Sequence, residues 1–437
     1  MYVFQRKMSY IQHQEYKATS GLDFNTIQFQ VLPLTHGSTL EGKSLSLRFP
    51  LLTTFIHPTF HNWGSSLDPY VKNGLAQFPI ARVMEELTVV INGKHELRIN
   101  PIHCYQALRT YTKLDDPDVQ QEYAMPDIYS RHSFYNGSVN SPFESRGYVV
   151  GYMPRVVSEG IPYFTDASGK PTVGNTPTSN ASNKYMVYMS LPFDIFKNDI
   201  LNVTSITITC KMASDAVRKY CVSNEGSVSV QNNMTSTISL YDAPSCLVRW
   251  KIPSQRPLIY KLQNKRYEVV SSSNTVLSTN QSISNLSLSS SMMNFGKARK
   301  MYVYVQPDLN MVASGGSGTT NDYRKQMSAS TFGFMTGMSV MLNGQTYFSD
   351  WDAYRLWSMS YKNGFFHPYS IARGDSFDKG TVTGTGTVVC VDFDRDLPIN
   401  DMNTIKIDTT FTYASSWYMV LRLYVVFEYD EEIDMMY

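Results

Sequence analysis

Two histidines four residues apart, His57 and His61 in the run HPTFH, have the spacing with which a helix turns two imidazoles toward one metal ion. The chemistry would be metal-assisted hydrolysis, with a glutamate beside the pair as general base. No glutamate stands between them, and Pro58 pushes His57 out of helical backbone. The pair is therefore not read as a metal site. His95 and His103 flank a helical pattern and read as surface or capping residues.

Asp392, Asp394 and Asp396 alternate as the first ligands of a calcium loop would, but the sixth and twelfth places hold Leu397 and Asn403, not Gly and Glu. On a strand, alternate carboxylates share one face, solvated or against a neighbour. The glycine runs Gly315–Gly318 and Gly380–Gly386 resemble phosphate cradles only in composition, because neither follows a strand and opens a helix. Retaining or inverting hydrolysis of a glycoside needs two carboxylates about 5–9.5 Å apart. Glu85, Glu86, Asp350 and Asp352 are the candidates, and nothing in the sequence brings a pair together. No GxSxG elbow occurs, and the five cysteines (Cys104, Cys210, Cys221, Cys246, Cys390) never form a CxxC pair. They read as free, mostly buried thiols of a reducing compartment. No catalytic, metal or cofactor-binding residue is assigned, and the chain is not read as an enzyme.

The elements that would have to position any site are mostly strands. Runs rich in Val, Ile, Tyr, Phe and Thr, punctuated by Gly, Asn, Pro and Asp, predict strands at 26–32, 44–49, 87–91, 184–191, 205–211 and 246–252. Further strands are predicted at 258–262, 266–270, 299–305, 338–342, 387–393, 404–411 and 418–429. Helices are predicted only at 101–114 and 351–361, with a shorter one near 66–75. Many short strands and few helices predict an all-β chain of sandwiches. With 437 residues the chain exceeds one ordinary domain. At 13% aromatic it can bury a large core, which excludes a disordered chain. Its net charge of +1 leaves no basic footprint for general nucleic-acid binding. Charged residues at only 17%, beside 30 Tyr, suit surfaces buried against other subunits. The N-terminus has no signal-peptide pattern, and the most apolar stretch, 417–427, is too short to span a bilayer and carries Arg422. Triplets of the Asn-x-Ser/Thr type, as at Asn136, Asn202 and Asn285, read as by-products of composition.

An internal repeat organises the strands. LTVVINGK at 87–94 matches MSVMLNGQ at 338–345, and in both an apolar strand ends in Asn-Gly: Asn92-Gly93 and Asn343-Gly344. That dipeptide tolerates positive φ and predicts a tight hairpin turn. A helical pattern follows each (104–108, 354–359), then a strand, a connection and a Thr/Ile-rich strand (187–193 with 205–210; 389–397 with 404–411). Each half closes with a strongly apolar strand, 247–250 and 420–427. The expected organisation is an N-terminal arm, 1–20, a first sandwich, 21–252, and a second, 253–437. The first carries long insertions at 125–183 and 213–244, whose Asn/Ser/Gly/Pro content predicts surface loops. The Ser-rich stretch 271–291 has the composition of a plain surface loop, the favoured reading, although Val276, Ile283, Leu286 and Leu288 would let part of it pack as an edge. In the arm, Arg6, Lys7 and Lys17 are too few for strong counterion-release binding, so a disordered or docked terminus is favoured. The acidic run 428–434 reads as a solvated face, with a basic partner as the alternative.

The second half carries a family resemblance. The strand ending in Asn343-Gly344, then Trp351–Leu356, then Met359-Ser360-Tyr361-Lys362-Asn363-Gly364, then Asp396-Leu397-Pro398-Ile399 and the last strand 420–428 are similar to a stretch of the double jelly-roll major capsid proteins of the adenovirus, tectivirus and polinton–virophage lineage. The first half adds Phe78-Pro79-Ile80-Ala81-Arg82 before its own Asn-Gly strand. The resemblance implies two tandem jelly rolls standing side by side, with a few short helices and long loops. It implies a homotrimer of pseudo-hexagonal outline that tiles an icosahedral shell, made inside the host cell and located in the virion. Partners would be the chain itself, neighbouring trimers and other capsid proteins such as a vertex protein. No sequence-specific nucleic-acid binding and no cofactor follow, and the N-terminus is the implied point of contact with an internal membrane or the genome. The loops 125–183 and 306–330 would be outward towers or inter-subunit clasps. Two alternatives remain open at this point: a tandem β-sandwich receptor- or carbohydrate-binding spike, and a β-sandwich glycosidase.

Overall fold

In a computed structural model, residues 10–111 and 180–436 are described with breaks, the longest at 57–72, and between 111 and 180 only Tyr163–Thr165 and Pro171–Thr172. The first half contributes β1 (Tyr10–Lys17), β2 (Thr26–Val31), β3 (Ser46–Ile56), α1 (Pro79–Val83), β4 (Met84–Ile91), β5 (His95–Ile99), α2 (Pro101–Arg109), β6 (Asn180–Ser190), β7 (Ile206–Met212) and β8 (Ser245–Ile252). The second contributes β9 (Ile259–Ser271), β10 (Ile283–Ser291), β11 (Ala298–Pro307), β12 (Phe334–Leu342), β13 (Gln345–Asp352), α3 (Ala353–Lys362), α4 (Tyr369–Arg373), β14 (Val389–Asp392), β15 (Thr404–Thr412) and β16 (Met419–Met436).

The strands pair antiparallel into two sheets per half, and the orders coincide. One sheet of the first half runs β1-β8-β3-β6 and the other β2-β7-β4-β5; in the second half they run β9-β16-β11-β14 and β10-β15-β12-β13. Strand for strand, the first, last, third and sixth elements share a sheet, the crossed connectivity of a jelly roll. Alternation fills the cores. On β7 the burial pattern puts Ile206, Ile208 and Cys210 inward, and β2 answers with Ile27, Phe29 and Val31. On the opposing sheet Leu47, Phe49, Val248 and Trp250 close that core, whereas Val303, Val305, Leu423, Val425 and Phe427 fill the second. Each such side chain, fully buried, contributes about 1.5–3 kcal/mol relative to an exposed one.

Three expectations are corrected. The arm 1–20 is, from Tyr10 on, the first strand of the first sandwich, paired along its length with β8 from Tyr10↔Ile252 to Lys17↔Ser245. Its sequence hides the strand because the alternate residues are Gln12 and Gln14, not aliphatic. The Ser-rich stretch 271–291 holds two strands, Thr275–Leu277 and β10. In β10 only Leu286 and Leu288 are apolar anchors, and both are buried while Ser287 and Ser289 face out. Predicted strands 258–262 and 266–270 are one strand, β9, paired continuously with β16.

The acidic run 428–434 lies within β16: Asp430, Glu432 and Asp434 are exposed, as a solvated face requires, whereas Glu428 is 1% exposed at the end of the stretch 423–429, which is buried on both faces. Both predicted major helices are present, shorter at their C-terminal ends or shifted by two residues. The insertion 125–183 and the loop 306–330 lie mostly outside the described residues, as do the helix predicted near 66–75 (save Asn73–Leu75, a strand), Gly316–Gly318 and Gly380–Thr385. No described helix is long and apolar enough to cross a membrane.

Candidate assembly interface

The two Asn-Gly turns have the same geometry. Asn92 and Gly93 stand at φ 55° and 67°, Asn343 and Gly344 at 48° and 79°, so both turns have the doubly positive backbone that suits the twist of a two-residue hairpin. Each asparagine also reaches across to the strand beside it. Asn92 Oδ1 accepts from the backbone N–H of Thr204 at 2.8 Å, and Asn343 Oδ1 from that of Thr404 at 3.1 Å. The backbone N–H of Asn92 donates to Ser205 O and that of Asn343 to Thr404 O. The turn thus fixes where β7 and β15 begin.

The candidate carboxylates are dispersed into structural roles. Glu85 pairs with Lys211 at 3.1 Å and Glu86 with Arg98 at 2.7 Å. As strand neighbours they point to opposite faces. Asp350 bonds the Ser339 hydroxyl at 3.2 Å, and Asp352 caps α3 by accepting from Arg355 N at 3.0 Å. Asp392, Asp394 and Asp396 form a local turn: Asp396 Oδ2 accepts from Asp392 N at 2.9 Å and Asn363 Nδ2 at 2.7 Å, and Asp392 Oδ1 accepts from Asp394 N at 3.1 Å. Lys300 lies 3.9 Å from Asp392 and Arg299 3.7 Å from Asp394. Among the described residues no group of three His, Cys, Asp or Glu is placed to hold a metal ion. His57 and His61 lie outside the described residues. Cys104, Cys210, Cys246 and Cys390 are buried free thiols, and burial pushes all four well above the ordinary thiol pKa.

What the fold does bring together is a seam between the sandwiches. Helix α2 of the first lies against the outer face of sheet β9-β16-β11-β14 of the second. His103 stacks on Tyr424 with ring centroids 5.4 Å apart, and Tyr424 stacks on Tyr304 at 5.6 Å. The Tyr304 hydroxyl donates to the His103 carbonyl. Tyr111, just after α2, packs on Tyr302 at 5.0 Å and Phe365 at 5.6 Å, and its hydroxyl donates to Val388 O at 2.5 Å. Burial raises the hydroxyl pKa of Tyr111, Tyr302 and Tyr304 well above the ordinary range, so all three stay protonated donors.

The seam also buries charge. Glu428 accepts from the Tyr302 hydroxyl at 2.7 Å and meets Lys265 Nζ at 2.8 Å. Lys265 lies 3.7 Å from Asp194 of the first sandwich. Burial, the largest influence, works to lower the Lys265 pKa, but the carboxylates of Glu428, Asp194 and Asp430 together outweigh it and hold the ammonium above its usual value. His103 is therefore a seam residue, not a surface or cap residue, and the seam is the one site the sequence did not point to. Its only sequence signal is the strand 421–429, apolar at nearly every position rather than at alternate ones.

Two sandwiches of one strand order, joined in one chain, define a double jelly roll. The fold is shared over nearly the whole chain with solved viral proteins. A chain of the Sputnik virophage structure determined by cryo-EM superposes with a TM-score of 0.74 at 17% identity, over 98% of this chain and 87% of that one. The crystal structure of the mavirus major capsid protein gives 0.61 at 12% identity, over 97% and 90%. No protein-family model and no curated protein matches the sequence.

Proposed function

We propose that this chain is a viral major capsid protein, which assembles as homotrimers of pseudo-hexagonal outline that tile an icosahedral shell. The observation that carries the reading is the duplicated jelly roll, with its two halves packed through a buried aromatic seam and matching a capsid protein over 97% of the chain. Its site of action is the virion, after synthesis in the host cell, and its work is assembly rather than catalysis. The chain divides at 252/253 into two sandwiches, with β1 belonging to the first. Asn92-Gly93 and Asn343-Gly344 are the structural turns of the repeat. Its partners are further copies of itself and other capsid proteins such as a vertex protein, and the residues ahead of β1 contact an internal membrane or the genome.

Light scattering of the purified chain, followed by negative-stain microscopy, tests this. The expected result is a particle of three times the 49.7 kDa chain mass, hexagonal in projection and prone to sheets or shells. A chain that stays monomeric at high concentration would sink the proposal.

A further inference from the structure

The duplication puts two equivalent helices in unequal surroundings. Aligned on their N-caps, Asn100 and Asp352, α2 and α3 match Cys104 with Leu356 and Ala107 with Met359, the buried positions that face each helix's own sandwich. The outward positions differ. Ile102 is 6% exposed and its counterpart Tyr354 60%; Tyr105 is fully buried and its counterpart Trp357 half-buried. Arg109 lies in the covered zone near Tyr267, whereas its counterpart Tyr361 is 55% exposed. In α2 the outward half is covered by α1, through Arg82 to Gln106 at 3.1 Å, and by the sheet of the second sandwich at the seam. On α3 the outward half is an aromatic ladder. Tyr354, Trp357 and Tyr361 touch at centroid distances of 5.7 and 5.2 Å, with Tyr369 5.6 Å from both Tyr354 and Trp357.

The sheets are unequal in the complementary sense. The outer face of β9-β16-β11-β14 receives α2, and β16 is buried on both sides from Leu423 to Tyr429. On the outer face of the equivalent sheet, β1-β8-β3-β6, the described side chains of β1 and β8 are accessible: Leu247, Arg249 and Lys251 of β8 are half-buried, and Ile11, His13, Glu15 and Lys17 of β1 are exposed. Ile11 is 44% exposed and sits opposite Lys251, with Arg249 opposite His13 beside it. Of the four exposed large apolar side chains among the described residues, two lie on α3 and one on this face.

We infer that the aromatic ladder of α3 docks on the accessible outer face of β1 and β8 in a second copy of this chain, repeating between chains the contact that α2 makes within one. A head-to-tail contact used alternately within and between chains closes a ring where its rotation closes, and six sandwiches from three chains are the ring the trimeric coat reading requires. Tyr and Trp are the side chains that anchor such contacts. The cations of the receiving face, Arg48, Arg249 and Lys251, held by carboxylate partners, offer ring faces a favourable charge. The inference rests on the trimeric coat reading and specifies which surfaces build the trimer.

The test compares the full chain with two variants, Tyr354→Ser/Tyr361→Ser on the helix and Ile11→Asp on the sheet, by analytical ultracentrifugation. Thermal melts by circular dichroism check that each variant folds. The expected result is a trimeric wild type and two folded variants whose trimer dissociates at a concentration at least ~30-fold higher, the loss typical of anchor residues. If the wild type is trimeric and both folded variants remain so, the inference falls while the coat reading stands. It falls equally if only one surface matters, or if the variants form trimers that fail only to make sheets. A monomeric wild type overturns the coat reading, and the inference with it.

Discussion

Asn92 and Asn343, 251 residues apart in sequence, do the same work in two sandwiches: each holds a left-handed backbone and accepts a hydrogen bond from a backbone N–H at or just before the start of the neighbouring strand, Thr204 or Thr404. Replacing Asn343 by Ala removes the bond and places a side chain that disfavours positive φ in the turn, a loss of about 1–3 kcal/mol. Asn343→Gly keeps the backbone freedom and loses only the bond, about 1 kcal/mol. Urea unfolding of both variants separates the two effects, and equal losses would show that the backbone conformation is unstrained.

Gly386 is the least replaceable glycine among the described residues. Its φ is +76°, and a Cβ there would lie 1.9 Å from the Phe332 carbonyl oxygen. Gly344, at +79°, has nothing within 4 Å of its notional Cβ. Gly386→Ala is expected to abolish soluble, folded protein. Gly344→Ala carries only the left-handed penalty of about 1–2 kcal/mol. Soluble yield and circular dichroism of the pair decide it; similar behaviour of the two would refute the close approach.

Lys265 pairs with the buried Glu428 at the seam. Lys265→Met removes the cation and leaves that carboxylate, among the described residues, the Tyr302 hydroxyl, and with Lys265 itself partly exposed the expected loss is about 2–4 kcal/mol. The double variant Lys265→Met/Glu428→Gln should recover most of it, since the amide still accepts from Tyr302. Because folding raises the Lys265 pKa above its usual 10.5, its stabilisation is complete below that pH and disappears as pH climbs through the raised value. The stability gap between wild type and the double variant should therefore shift against the wild type above about pH 10.5, and a gap independent of pH would show that the ion pair contributes nothing.

The four buried thiols should be silent. In a Cys221→Ser background, Cys104, Cys210, Cys246 and Cys390 are expected to resist a thiol-reactive disulfide reagent at pH 8 and to react together on unfolding, because burial disfavours the thiolate that attacks. Fast modification of any of them in the native state would contradict that burial.

The repeat was legible because its signals are local. An Asn-Gly dipeptide carries its own φ preference, a period-two run carries its own burial pattern, and both recur at matching intervals in the two halves. The all-β class, most strands and both larger helices followed from such patterns. Patterns with weak local contrast escaped: β1, whose alternate residues are glutamines, and β10, where two leucines among serines suffice because β15 supplies the rest of the layer. Pairing and burial partners lie far along the chain, and only the tertiary structure decided them. The hydroxyl of Tyr304 finds the carbonyl of His103 across 201 residues, and Lys265 finds Glu428 in the strand that ends the second sandwich. The alternating aspartates 392–396 show the same limit. Their spacing allowed a cation, but the local turn, with Asn363, Arg299 and Lys300 beside it, determined what those carboxylates bind. Spacing fixes which side chains share a face, whereas the energy of a charge or a ring depends on what the fold sets opposite it.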